Sequence, residues 1–93
     1  PHAKAAMEKL KNEFKAREEK IMAQEKSVKE KTEKLQRNSA VMSEAEKAKL
    51  EKDVMAGQRD LQRMQAEYRE DAAMRQQEEM KKVIDKVTAA IDD

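Results

Sequence analysis

The ten residues Arg37–Glu46, RNSAVMSEAE, decide how the rest of this chain is read. On both sides of them the sequence is dominated by Ala, Glu, Lys, Gln, Met, Leu and Arg, all good helix formers. A helix running through this stretch would make the protein a rod; a break in it makes a hairpin. Asn38 and Ser39 are turn formers, because their short polar side chains bond to nearby backbone. Ser43 followed three residues later by Glu46 is a capping box, S-x-x-E, in which each side chain satisfies an amide of the other residue at a helix start. The stretch predicts a turn at about 39–42, between a first helix at about 3–38 and a second at about 43–91. Pro1 falls at or before the first helical turn, where proline is tolerated.

Periodicity supports the hairpin. In the first half, Met7, Phe14, Ile21, Val28, Leu35 and Met42 recur every seven positions. The companion series begins at Leu10 but continues with Arg17, Gln24 and Lys31, so this is a seam one residue wide. In the second half Leu50, Val54, Gly57, Leu61, Met64 and Tyr68 advance by alternating steps of four and three, a fuller seam. Facing residues in an antiparallel hairpin have position numbers of constant sum. The pairs Phe14/Tyr68, Ile21/Leu61 and Val28/Val54 each total 82, which centres on residue 41, inside the expected turn. The fold class read from the sequence is all-α: a long antiparallel two-helix coiled-coil hairpin, one unit over residues 1–93. Its seam comprises Phe14, Ile21, Val28 and Leu35 on one helix and Leu50, Val54, Leu61 and Tyr68 on the other.

The single glycine of the sequence, Gly57, lies within the second seam, although glycine inside a helix costs about 1 kcal/mol relative to alanine. The pairing places it opposite Glu25, beside Gln24 and Val28. Close packing against the other helix, or space for a long polar stem, explains it better than a hinge.

Composition supports a thin molecule. Of 93 residues 44% are charged, and Phe14 and Tyr68 are the only aromatic side chains, too few to fill a compact core. Net charge is +1, which is not the strongly basic balance of a nucleic-acid binder. Residues 1–38 hold 11 Lys/Arg and 7 Asp/Glu, and residues 39–93 hold 10 and 13, so the halves carry +4 and −3. Opposite halves suit two segments lying side by side, though exposed ion pairs contribute little each. The absence of cysteine excludes disulfides and thiolate metal sites. No apolar run approaches the roughly 20 residues of a transmembrane helix, and no signal peptide is read. A start without Met is expected of a mature, trimmed or engineered piece.

Beyond the pairing, residues 82–93, KVIDKVTAAIDD, find no partner in this chain, yet Val83, Ile84, Val87, Ala90 and Ile91 form an apolar stripe at helical spacing. Such a stripe usually marks an interface. Val83, Ile84, Val87 and Ile91 are the expected assembly residues; a frayed end is the bland alternative.

No catalytic constellation emerges. His2 is the only histidine and sits near the chain start; Ser27, Ser39 and Ser43 have no His partner in reach. The paired acids Glu18-Glu19, Glu70-Asp71 and Glu78-Glu79 read as solvated helix faces without a metal-ligand set. No enzyme activity, metal or cofactor is expected. Methionine is the exception to a bland composition, with 7 in the chain. Met7, Met42 and Met64 fit the seams, whereas Met22, Met55 and Met74 lie off them. Flexible, polarisable methionines suit surfaces that accept many apolar partners, although Met also fills gaps and tolerates exposure.

The stretches KLKNEFKAREEKI (9–21), KLEKDVMAGQRDL (49–61) and EEMKKVIDKV (78–87) resemble the arms of the periplasmic Skp chaperone family, also called OmpH. KLEKDVMA, Lys49 to Ala56, is the specific element, and NEFK, Asn12 to Lys15, supports it. The resemblance covers about residues 5–91. It implies homotrimers in which a small β-rich body carries three helical arms that enclose unfolded outer-membrane proteins without ATP, in the periplasm. On that reading the β-rich ends of the family are missing, the chain is one arm, and the stripe at 83–91 is where the arm's root meets the body. Client contact is then expected at Met22, Val41, Met42, Met55 and Met74. Arg75 falls in a region to which lipopolysaccharide binding has been attributed in the family, but Met64 and Met74 are not cations, and no such site is carried over.

Three readings follow: a holdase chaperone arm, a structural coiled-coil or oligomerisation segment, and an engineered helical-hairpin scaffold without client binding. Whether the chain is monomeric or self-associates stays open.

Overall fold

The computed structural model describes residues 2–92, with side chains from 3 to 91. Pro1 and the His2 side chain, on which the sequence reading touched, lie outside that description. Two helices account for nearly everything: α1, His2–Asn38, and α2, Glu44–Asp92, joined by a single 3₁₀ turn at Ser39–Val41. The chain reverses there, and the result is an all-α hairpin with extents of 76 × 22 × 15 Å.

The reversal is built from local chemistry. Asn38 leaves α1 with φ −107° and ψ 4°, and Met42 is extended at φ −88° and ψ 145°. Ser43 then caps α2: the Glu46 amide donates to Ser43 Oγ at 3.1 Å, and the Ser43 amide donates to Glu46 Oε2 at 3.3 Å. Two amides that the helix start would leave unpaired are thereby satisfied. Glu44 and Glu46 in the first turn also complement the positive end of the helix dipole.

The interior is one seam deep. Val28 and Val54, which the pairing sets opposite each other, are the buried apolar residues, each 8% exposed. Phe14, Ile21, Leu35, Leu50, Leu61 and Tyr68 are half-buried, as are Met42 and Met64. The seam continues past Tyr68 through Ala72 and Arg75, also half-buried. On α1 the companion positions Leu10, Arg17, Gln24 and Lys31 are all half-buried. The seam is therefore two positions wide, and three of the companion places are taken by long polar side chains whose stems lie against the facing helix.

Gly57 is buried at the tightest point. A Cβ built there would lie 3.0 Å from Val28 Cγ2 and 3.5 Å from Gln24 Nε2. The Gln24 side-chain amide donates to the Gly57 carbonyl at 3.0 Å. Glycine thus serves both purposes expected of it: close approach to Val28 and room for a polar stem. Its φ is not positive, so backbone permissiveness has no part in the choice.

Candidate functional site

The densest chemistry lies a third of the way up α1. The rings of Phe14 and Tyr68 meet edge to face, with centroids 5.5 Å apart and planes at 83°. The Arg17 guanidinium carbon lies 5.6 Å from the centroid of each ring. The same guanidinium reaches across to Asp71 with Nη1 to Oδ2 at 2.8 Å, and the Tyr68 hydroxyl donates to Glu18. Farther toward the turn, Gln65 Nε2 donates to Glu25 Oε1 at 3.3 Å. The hydrogen bond to the Glu18 carboxylate raises the Tyr68 pKa above the usual phenol value, with burial and the Glu18 charge adding and Arg17 opposing.

This cluster clasps the two helices. Glu18 and Asp71 stay exposed, as the reading of solvated helix faces expects, and each also engages a partner across the hairpin. The two halves of opposite charge do lie side by side, and few ion pairs join them. Among the described residues, only Arg17–Asp71 joins the two helices; the other ion pairs, such as Arg37–Glu33 and Arg63–Glu67, run along a single helix. Arg75 is held in that way by Glu78 at 3.5 Å and Glu79 at 3.7 Å. Among the described residues no group of His, Cys, Asp and Glu is arranged to hold a metal ion. No helix of the described residues is long and apolar enough to cross a membrane.

The apolar residues outside the seam form the other notable surface. Met22 is 66% exposed, Val41 85%, Met55 58% and Met74 53%, whereas Met42 is half-buried at the end of the turn. These five are not gathered into one pocket; they are spread along both helices and the tip. Met22 borders a shallow groove with Glu18, Ile21, Gln65, Tyr68 and Arg69. Met74 borders another with Leu10, Phe14 and Arg75. Val83, Ile84, Val87 and Ile91 are all exposed on the last turns of α2, past the end of α1. The arrangement offers separate small apolar surfaces beside charged side chains such as Glu18, Arg69 and Arg75. Sequence reasoning missed the clasp because Arg17 and Glu18 look like ordinary surface charges. Their spacing from Phe14 by one helical turn was the available signal.

A two-helix hairpin with apolar side chains dispersed over its surface is the class of protein this fold defines. A family model described as "Outer membrane protein (OmpH-like)" matches residues 1–93. The chain belongs to the OmpH-like family. It is 32% identical over 91 residues to the chaperone protein Skp of Photorhabdus laumondii subsp. laumondii, covering 98% of this chain and 55% of that protein. It is 31% identical over 91 residues to the Skp of Pectobacterium atrosepticum, with the same coverage, and 30% over 91 residues to that of Yersinia enterocolitica, covering 98% of this chain and 56% of the relative. The chain spans about half the length of the curated relatives it matches. These relatives are named as chaperones, not as enzymes. No solved structure matches at a significant level.

Proposed function

We propose that this chain is a holdase arm: it contacts unfolded outer-membrane proteins in the periplasm through weak, dispersed apolar patches and uses no ATP. The observation that carries the reading is the distribution of apolar surface. Among the described residues only Val28 and Val54 are buried apolar groups, while ten large apolar side chains are exposed, five of them methionine. Exposed apolar side chains that fall together on one helix face, as Val83, Ile84, Val87 and Ile91 do, give the hairpin surface to offer a partner. Methionine lets that surface adapt to clients of varied sequence. The names of the relatives point the same way. Client contact is assigned to Met22, Val41, Met55 and Met74, with Met42 contributing from the end of the turn.

In the complete protein the stripe of Val83, Ile84, Val87 and Ile91 is the assembly interface, and three copies enclose one client. A continuous structural rod is not compatible with a chain that reverses at Ser39–Val41.

The test exploits the absence of Trp from the sequence. A Trp-containing outer-membrane β-barrel protein is diluted from urea into increasing amounts of this chain, and its emission and light scattering are followed. A saturable spectral change with suppressed scattering is expected. The combined variant Met22→Gln, Met55→Gln and Met74→Gln is expected to need more chain for the same suppression. Equal potency of parent and variant would remove the methionines from the contact surface.

A further inference from the structure

The seven methionines fall into two groups that the fold separates. Met7, Met22, Met55, Met74 and Met80 are between 53% and 66% exposed. Met42 and Met64 are half-buried on the seam. The sequence contains no cysteine, so methionine is where two-electron sulfur oxidation of this chain takes place. Oxidation turns a flexible apolar thioether into a polar, chiral sulfoxide. Met7, which the repeat of seven places on the seam, is 62% exposed; on it and on the other four exposed methionines oxidation alters the surface, whereas on the half-buried Met42 and Met64 it would strike the packing itself.

We propose that the exposed methionines are a reversible oxidation site that switches off the apolar contact surface while leaving the hairpin folded. The proposal rests on the client-contact reading above. The oxidant class is a hypohalous acid. With hypochlorous acid the thioether sulfur gains an S–O bond and loses two electrons. The O–Cl bond breaks, chlorine is reduced to chloride, and a proton is released. Three features favour a surface switch over damage. The exposed methionines sit on α-helical backbone whose hydrogen bonds are made within each helix. They lie off the Val28–Val54 contact. None of them is a partner in the ring contact or the ion pair of the Phe14–Arg17–Tyr68–Asp71 clasp, although Met7, Met22 and Met74 border grooves that its residues line. Methionine sulfoxide reductases of both epimer specificities reverse the change, so the state is recoverable.

The experiment treats the 93-residue chain with graded hypochlorous acid. Sulfoxides are mapped by peptide mass spectrometry, and helicity, melting and suppression of client scattering are measured on the same samples. The exposed five are expected to oxidise before Met42 and Met64, with unchanged melting up to that point. Apparent client affinity is expected to fall about tenfold as several apolar contacts become polar. Treatment with both reductases is expected to restore it. A variant with leucine at all five exposed positions keeps the apolar surface and is expected to hold client regardless of oxidant. Undiminished suppression with all five sulfoxides mapped would overturn the proposal while leaving client contact intact. So would loss of suppression only in step with oxidation of Met42 or Met64 and loss of helicity, or a leucine variant as oxidant-sensitive as the parent. If the untreated chain does not hold client at all, the client-contact reading falls and this proposal falls with it.

Discussion

At Gly57 two effects of similar size oppose each other. Replacing glycine with alanine in a helix interior gains about 1 kcal/mol from backbone propensity. The added methyl would stand 3.0 Å from Val28 Cγ2. Val28 is β-branched, with a single strongly preferred rotamer in a helix, so it cannot swing away; forcing extra volume into a packed site costs roughly 1–3 kcal/mol. Gly57→Ala is therefore expected to leave the melting temperature unchanged or lower it. In a Val28→Ala background the obstacle is gone, and the same substitution is expected to raise stability by about 1 kcal/mol. A double-mutant cycle by chemical denaturation measures this coupling, and additive effects would show that Val28 does not explain the glycine. Tyr68 offers a second test, since it is the only tyrosine and tyrosinate absorbance reports on it alone. Its pKa is raised, chiefly because its neutral hydroxyl donates to Glu18. A raised folded-state pKa means that this bond contributes fully below the ordinary phenol value of about 10 and is lost as pH rises through the folded pKa. Glu18→Gln is expected to bring the titration midpoint down toward the ordinary value. The melting difference between parent and variant should be present at neutral pH and vanish at strongly alkaline pH. An unchanged midpoint would remove Glu18 as the cause.

At the scale of elements, the turn does more than connect. A chain this rich in helix formers would extend through residues 39–43 unless something stopped α1 and restarted the helix as α2. The reciprocal Ser43–Glu46 bonds supply the restart. Ser43→Ala is expected to cost about 1 kcal/mol, the usual value of an N-cap side chain, seen as a lower midpoint in a circular-dichroism melt; Ser43→Asp, which can still cap, should recover most of it. No change in the alanine variant would mean that tertiary contacts alone hold the reversal. This element is legible in the sequence because capping is local chemistry written in neighbouring residues. The one-stripe seam was legible for the same reason, through its repeat of seven. The second stripe was not. Arg17, Gln24 and Lys31 occupy its positions, and a search for apolar residues passes over them. Their role depends on what they meet across the hairpin: the Tyr68 ring and the Asp71 carboxylate for Arg17, the Gly57 carbonyl for Gln24. Heptad position identified the right places, but residue type concealed them, because a long polar side chain can lie along an interface while keeping its head in water. The candidate contact surface was only half legible. Methionines off the seam could be picked out by spacing, yet Met42 was expected on both the seam and the contact surface, and in the fold it is half-buried at the end of the turn.

For the whole molecule, the long axis follows from α2: 49 helical residues at 1.5 Å each give about 73 Å, close to the observed 76 Å. The 37 residues of α1 reach about 55 Å. The difference leaves the last turns of α2 alone in solvent, with Val83, Ile84, Val87 and Ile91 uncovered. A slender arm with scattered contacts cannot hold a client tightly alone, since no two of its exposed methionines form a deep pocket. On the proposed holdase reading, affinity comes from several arms meeting one client. Joining binding modules raises avidity by about 10²–10⁴ when the geometry lets them engage together, without any new contact. Fusing this sequence after Ile91 to a parallel trimeric coiled coil, in register with α2, is therefore expected to suppress client scattering at an arm concentration lower by about two orders of magnitude. The comparison is made at equal total arms, with the trimeric coiled coil alone as control. A trimer no better than the free arm would mean that the contacts do not converge on one client, and the enclosing-arm reading would fail even if each arm binds weakly. A fusion lengthened by two residues rotates every arm by about 200° about the α2 axis. If Met22, Met55 and Met74 must face a shared interior, that rotation should abolish most of the gain; if contact is isotropic around the arm, the gain should survive.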